Sequence, residues 1–201
     1  MPSISIPARR LGIAAMVVVA ALAASAPGAG EPLVLKLDTK ASRVRFSIDA
    51  LAHTVHGSFA VSGGELRFDP DTGAASGEVV VDSRSGETGN GSRDKKMHEV
   101  VLESARFPQI VFTASRIAGK FEREGASDLQ LGGAIAIHGA SHPVVLRVHA
   151  ESRGGALTAT APLTVPFVEW GLEDPSNLLL RIAKQVEVEI EARGALAAPP
   201  Q

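Results

Sequence analysis

Apolar residues recur at every second position through most of this chain, and that period of two constrains its fold more than any other feature. Leu129, Leu131, Gly133, Ile135 and Ile137 alternate without a break, the longest such run. Val44, Phe46 and Ile48 point one way while Arg45, Ser47 and Asp49 point the other. Leu33 to Asp38 reads as an earlier strand, and Thr54 to Asp69 as a later one with Val55, Gly57, Phe59 and Val61 on one face. Gly63 and Gly64 interrupt that face before Leu66 and Phe68 resume it, which suits a bulge where a sheet curls. Ser76 to Ser85 turns Val79 and Val81 inward, and Gln109 to Ile117 returns as strand. Asp69-Pro70-Asp71-Thr72-Gly73 and Gly139 to Pro143 have turn chemistry. Val144, Leu146 and Val148 follow, then Leu157, Ala159, Ala161 and Leu163. A closing strand runs from Leu178, Leu180 and Ile182 to Val186, Val188 and Ile190, with a break near Lys184.

One stretch, Thr88 to Phe112, departs from this pattern. Ser92 can cap a helix, and Met97, Val100, Val101 and Ser104 then fall on one side at steps of three and four. Asp94 and His98 sit one turn apart, close enough to pair. Pro108 ends the segment, since the residue before a proline is driven out of the α region. The spacing therefore predicts an all-β, antiparallel sandwich or barrel of about eight strands, with one short helix capping an end. The inward faces carry many Val, Ile, Gly and Ala and few bulky aromatics, which favours a barrel with space inside.

Three segments are expected: a leader over residues 1–30, one domain over 31–196 and a tail over 197–201. Arg9 and Arg10 precede an apolar run, Leu11 to Ala24, shorter than the roughly twenty residues a spanning helix needs. Cleavage between Ala26 and Glu31, nearer Gly30, would release a soluble exported domain with no stable membrane insertion. The chain has no cysteine, so a lipid anchor on cysteine, disulfides and thiolate chemistry are all excluded. Acidic side chains outnumber basic ones, and no block of five like charges occurs, so a nucleic-acid partner has no electrostatic footprint.

The order and spacing of several motifs resemble the YceI-like family. Ser42-Arg-Val-Arg-Phe46, Val55-His-Gly57-Ser-Phe59 and Gly64-Glu-Leu-Arg-Phe-Asp69 are similar to its opening. Asp94 with Met97-His98 and Leu102, then Phe107-Pro108-Gln-Ile110-Val-Phe112, resembles its central segment. Leu131-Gly-Gly133 and Ile137-His-Gly139 with Pro143-Val144 are similar to a later block. The resemblance implies a lipocalin-like antiparallel β-barrel, usually periplasmic, with a long apolar tunnel that binds polyisoprenoids or similar amphiphilic lipids without catalysis. This chain departs from the pattern at Arg93 to Glu99 and at Phe167 to Ser176, departures that bear on the ligand's head group more than on the barrel.

Candidate tunnel residues are Val44, Phe46, Ile48, Phe59, Val61, Val79, Val81, Met97, Phe112, Leu131, Ile135, Leu146 and Val148. Val101 and Phe107 would help Met97 dock the helix. Arg93, Asp94 and His98 form the polar cluster expected either to meet a head group or to pin the helix through an Asp94–His98 pair. The bland alternative is that the apolar residues fill a solid core. An envelope interaction module with a filled core and a metal-dependent envelope enzyme are accordingly the rival readings.

No metal or cofactor is expected: His53 and His56 project to opposite faces, His138 and His142 straddle a turn, and neither spacing is a zinc pattern. Ser92-Arg-Asp-Lys95 matches a bare S-x-x-K but lacks the accompanying motifs of such enzymes, so no catalysis is expected. Trp170 is expected to anchor a barrel end. A homodimer through barrel edges or end loops stays open, and protection against acid or oxidative stress is a role such carriers could serve.

Overall fold

A computed structural model describes residues 32–50, 53–176 and 181–197. Residues 1–30, Leu178, Leu180 and residues 198–201 of the expected leader, closing strand and tail lie outside them. Nine strands follow one another: β1 Leu33–Leu37, β2 Arg43–Ala50, β3 His53–Phe68, β4 Ala75–Asp82, β5 Gln109–Ala118, β6 Gly125–Ile137, β7 Ala140–Arg153, β8 Ala156–Val165 and β9 Val186–Ala197. Each strand from β2 to β8 pairs antiparallel with the next, and β9 pairs back onto β2, so the sheet closes. β1 occupies the same stave as β2, between the far halves of β3 and β9, with Leu35 opposite both Leu66 and Leu196. The Asp38 carboxylate holds the offset between the two strands by accepting the Lys40 and Ala41 N–H groups. The result is an eight-stave antiparallel barrel, as the alternation predicts. Closure leaves unpaired edge among the named strands chiefly along one seam, where β7 and β8 pair over only part of their length.

Two bulges bend the staves. Between Val61 and Gly63 the register of β3 against β4 shifts, so the inward set passes from Val55, Phe59 and Val61 to Leu66 and Phe68. This is the bulge the glycine pair foreshadowed. A second shift between Ala114 and Arg116 passes the inward set of β5 from Ala114 to Ile117, with no glycine to announce it.

The turn placed at Gly139 to Pro143 is tighter than the sequence suggested. His138 and Gly139 alone make it, both with positive φ (51° and 79°), and Ile137 already pairs with Ala140. Pro143 therefore stands within β7. It is tolerated because β7 and β8 pair only over His149–Arg153 and Ala156–Thr160, leaving their other halves splayed. Pro162 occupies the matching half of β8. Two residues without an N–H thus sit where no ladder bond is required. Ala197, assigned to the tail from sequence, is paired with Val34.

The helical stretch starts from a different cap. Asn90, not Ser92, accepts the Arg93 N–H, opening α1 over Gly91–Lys96. The chain then widens into a π-helical turn, Met97–Val101, closed by Leu102 N–H to the Met97 carbonyl. The extra residue in that turn rotates the face read from sequence. Met97 and Val101 still face the barrel, Leu102 is buried beside them, and Val100 is left 41% exposed. Glu103, at φ 44°, stops the helix well before Pro108. Its carboxylate holds His138 at 2.8 Å, tying the helix exit to the β6–β7 turn.

Glycines on two different strands show how unevenly the wall is built. A Cβ on Gly133 would strike the Thr113 carbonyl and the Phe112 ring, whereas one on Gly63 meets nothing within 4 Å. Gly133→Ala is expected to lose about 1–3 kcal/mol of stability in urea unfolding, while Gly63→Ala stays within about 0.5 kcal/mol of the parent.

Candidate functional site

Buried side chains gather in two clusters at opposite ends of the barrel. Leu33, Leu35, Phe68, Ile117, Leu129 and Leu157 pack at the end away from the helix. Phe68 meets Phe121 edge-on there, with ring centroids 5.2 Å apart. Leu102, Ile135, Ile137, Val165, Phe167 and Leu172 pack under the helix. Between these clusters runs a cavity of about 590 Å3. That lies inside the range of roughly 300–1,000 Å3 typical of sites that enclose a small organic ligand.

The cavity exists because many inward positions are small. Ala75, Ala114, Ala150, Ala159, Ala161 and Ala192 line it, at sites where larger residues would close an eight-strand barrel. Gly57 leaves room for the Phe46 ring, which then reaches Phe59 at 5.2 Å. Gly86 similarly admits Phe59 and Met97.

The structure places Val44, Phe46, Ile48, Phe59, Val79, Val81, Met97, Phe112, Leu131, Ile135, Leu146 and Val148 on the cavity wall. Val61 differs: it is buried in the far cluster next to the β3 bulge and does not reach the wall. The walls contributed by β8 and β9, such as Leu163, Val188 and Ile190, were legible by the same alternation but not picked out as a site. Phe107, expected to dock the helix, instead packs on His138 at 4.6 Å outside the cavity. Trp170 does sit at the barrel end, stacked flat on His142 at 4.3 Å, and one part of it lines the cavity.

Polar lining collects almost wholly at the helix end, in His53, Thr88, Asn90, Arg93 and Lys96. Arg67, towards the other end, is bound to Glu65 at 3.0 Å. Of the three polar residues expected to face a head group, only Arg93 reaches the cavity. Asp94 and His98 do not, nor do they pair with each other, since the helix widens between them. Asp94 accepts both the N–H and the hydroxyl of Thr88. His98 bonds the Gly86 carbonyl through Nε2 (2.8 Å) and the Ser104 hydroxyl through Nδ1 (3.0 Å). Because a carbonyl only accepts, Nε2 donates to Gly86, while Nδ1 shares its hydrogen bond with the Ser104 hydroxyl. Both residues fasten the helix to its flanks. Arg93 donates from Nε to the Thr88 hydroxyl (2.8 Å) and from Nη2 to the Thr88 carbonyl (3.2 Å).

Lys96 was missed from the sequence, because a lysine on a short helix reads as solvated surface. Its ammonium reaches across to the Pro175 carbonyl at 2.6 Å, joining the helix to the segment between β8 and β9. In that segment the Asp174 carboxyl is held below the usual carboxylate range. The Ser176 hydroxyl and N–H are the main cause, opposed by some burial and aided by the Lys184 and Lys96 cations. Among the described residues, no three His, Asp or Glu side chains come together to hold a metal.

A family model described as "YceI-like domain" matches residues 35–193. A UPF0312 protein of Vibrio cholerae is 28% identical over 127 residues, 61% of this chain and 65% of that protein's own length. A UPF0312 protein of Shewanella denitrificans is 28% identical over 123 residues, 59% of this chain and 62% of the relative. The chain thus spans less than two thirds of these relatives. Among solved structures, BcnA of Burkholderia cenocepacia superposes with a TM-score of 0.64 at 18% identity, covering 80% of this chain and 99% of that one. A polyisoprenoid binding domain from Saccharophagus degradans gives 0.64 at 18% identity, covering 82% and 98%. At such identities the likeness is one of fold.

His98→Ala would strand the Gly86 carbonyl and leave the Ser104 hydroxyl only its long bond to the residue-98 carbonyl, a loss of about 1–3 kcal/mol in urea unfolding, with amide exchange rising first between Gly86 and Ser104. Asp174 sets an acid limit on its own turn. Its folded pKa lies below the unfolded value of about 3.9, so its stabilisation is present above about pH 4 and is lost as pH falls through the folded pKa. Protection of the Ser176 amide is therefore expected to fall in that acid window, and Asp174→Asn to flatten the dependence.

Proposed function

We propose that this protein, which belongs to the YceI-like domain family, sequesters or carries a long-chain amphiphilic lipid of the isoprenoid type inside its barrel. One observation carries the reading: an apolar cavity of about 590 Å3 that every stave of the barrel helps to line. The Saccharophagus degradans neighbour is a polyisoprenoid binding domain, and its ligand class is the one such a cavity suits. Binding alone accounts for such a site, with no bond made or broken.

The physics favours a long chain over a short one. Each buried methylene contributes about 0.8 kcal/mol, and association costs about 4–15 kcal/mol in lost freedom. Micromolar affinity, about 8 kcal/mol, then requires roughly 15 to 30 methylene equivalents from an apolar wall that supplies few hydrogen bonds. A solid core was the discriminating feature of the rival interaction module, and the hollow removes its support. We further infer that residues 1–30 direct export, so that the carrier works in the cell envelope. The apolar run from Leu11 to Ala24 behind Arg9 and Arg10 supports this.

Native mass spectrometry of protein purified without detergent, followed by solvent extraction, is expected to show a bound species of lipid mass. Ala159→Phe, which adds a ring inside the cavity, is expected to lower retention of that species at least tenfold while leaving the unfolding midpoint near that of the parent. Recovery of no lipid, together with no uptake of added prenyl or acyl amphiphiles, would defeat the proposal. An intact mass beginning between Pro27 and Glu31 in the periplasmic fraction would mark export.

A further inference from the structure

We infer that the lipid held in the cavity carries an anionic head, a phosphate or a carboxylate, seated between Arg93 and Lys96 at the helix end. This rests on the lipid-binding reading and narrows it. The argument begins with the signs of the charges. Arg67, Arg93 and Lys96 are the charged side chains that line the cavity, and among the described residues no aspartate or glutamate lines it. Arg67 already has Glu65. Arg93 and Lys96 are in no salt bridge among the described residues.

Position supports the same conclusion. Arg93 and Lys96 lie three residues apart on α1, a spacing that puts both on one face of a helix. Glu87, Glu99 and Glu173 lie near in sequence but none lines the cavity, and the two aspartates close by are bonded to other groups. Asp94 is taken by Thr88, and Asp174 by the Ser176 N–H, with Lys184 at 3.9 Å.

Donor capacity remains on the two cations. Arg93 spends Nε and Nη2 on Thr88, and among the described residues Nη1 has no partner. Lys96 has three N–H donors, of which the Pro175 carbonyl accepts one. Arg93 is half-buried against the apolar wall and Lys96 stands exposed at its rim, so an anion seated between them gains charge-assisted bonds at the mouth of the cavity. A neutral head would leave both cations without an anion bonded directly to them, Asp174 acting on Lys96 only from beyond salt-bridge distance. The Thr88 bonds hold the Arg93 guanidinium in one orientation, so little freedom is lost when an anion arrives.

The test uses the delipidated full chain loaded with Nile red, an uncharged dye, and matched competitors that differ only in the head: geranylgeranyl phosphate against geranylgeraniol, and palmitate against hexadecanol. The anion of at least one pair is expected to displace the dye at about a tenfold or lower concentration than its alcohol, with the gap narrowing as salt is raised. A gap in the phosphate pair alone identifies a phosphate head, and a gap in the palmitate pair alone a carboxylate.

Lys96→Gln is expected to shrink the gap severalfold while leaving the alcohols unchanged, and Lys96→Arg to restore it. A purely structural role for the Lys96–Pro175 bond would instead weaken alcohol and anion alike. Equal displacement within both pairs would overturn the anionic head and leave the lipid reading standing. Failure of all four competitors would overturn the lipid reading and this inference with it.

Discussion

The structure depends on a mismatch between a closed sheet and the side chains available to fill it. Eight staves that each bury one face must close on themselves, because any free edge would leave a row of unpaired backbone groups. Once closed, the barrel has an interior whose width is set by strand number rather than by side-chain volume. Here Ala114 and Ala161 stand on the cavity wall outside both end clusters, where an Ile or Phe would be needed to fill the space. Most of the fully buried leucines and phenylalanines sit instead in the two end clusters, around Phe68 and Phe167. Hollow middle and packed ends follow from that distribution.

The helix is the element that makes one end chemically different from the other. Its apolar side packs into the barrel while polar bonds fix it to its own flanks: Asn90 caps it, Asp94 and Arg93 clasp Thr88, and His98 bridges Gly86 and Ser104. Each of these bonds satisfies a group that would otherwise be stranded near an apolar wall. The π turn at Met97–Val101 lets a short helix present Met97, Val101 and Leu102 together to the interior. Non-glycine residues at positive φ, Glu103 and His138, stand on the two stretches of chain that leave this region, joined by their own hydrogen bond. Backbone strain is accepted where the connection between helix and barrel is made.

The seam between β7 and β8 shows how local chemistry is licensed by topology. Pro143 and Pro162 would each break a ladder in a fully paired sheet. They are harmless where the two strands diverge, and the Trp170–His142 stack packs next to that divergence. Read from sequence, Pro143 suggested a turn, since nothing local distinguishes a proline ending a turn from one facing an unpaired neighbour.

Period-two alternation carried most of the strands and their inward faces, and the glycine pair carried the bulge at Gly63. Each of these follows from local stereochemistry that acts over a few residues. The order of motifs also carried the family, and the small inward residues carried the expectation of a hollow. Tertiary structure alone decided which charges face that hollow. Asp94 and His98 are as polar as Arg93, but a widened helical turn and three hydrogen-bond partners on the helix's flanks, Thr88, Gly86 and Ser104, direct them away from the cavity, while Lys96 is brought to its rim by Pro175, far off in sequence. A side chain's alternation is set by its own backbone, whereas the company it keeps is set by segments that meet only when the barrel closes.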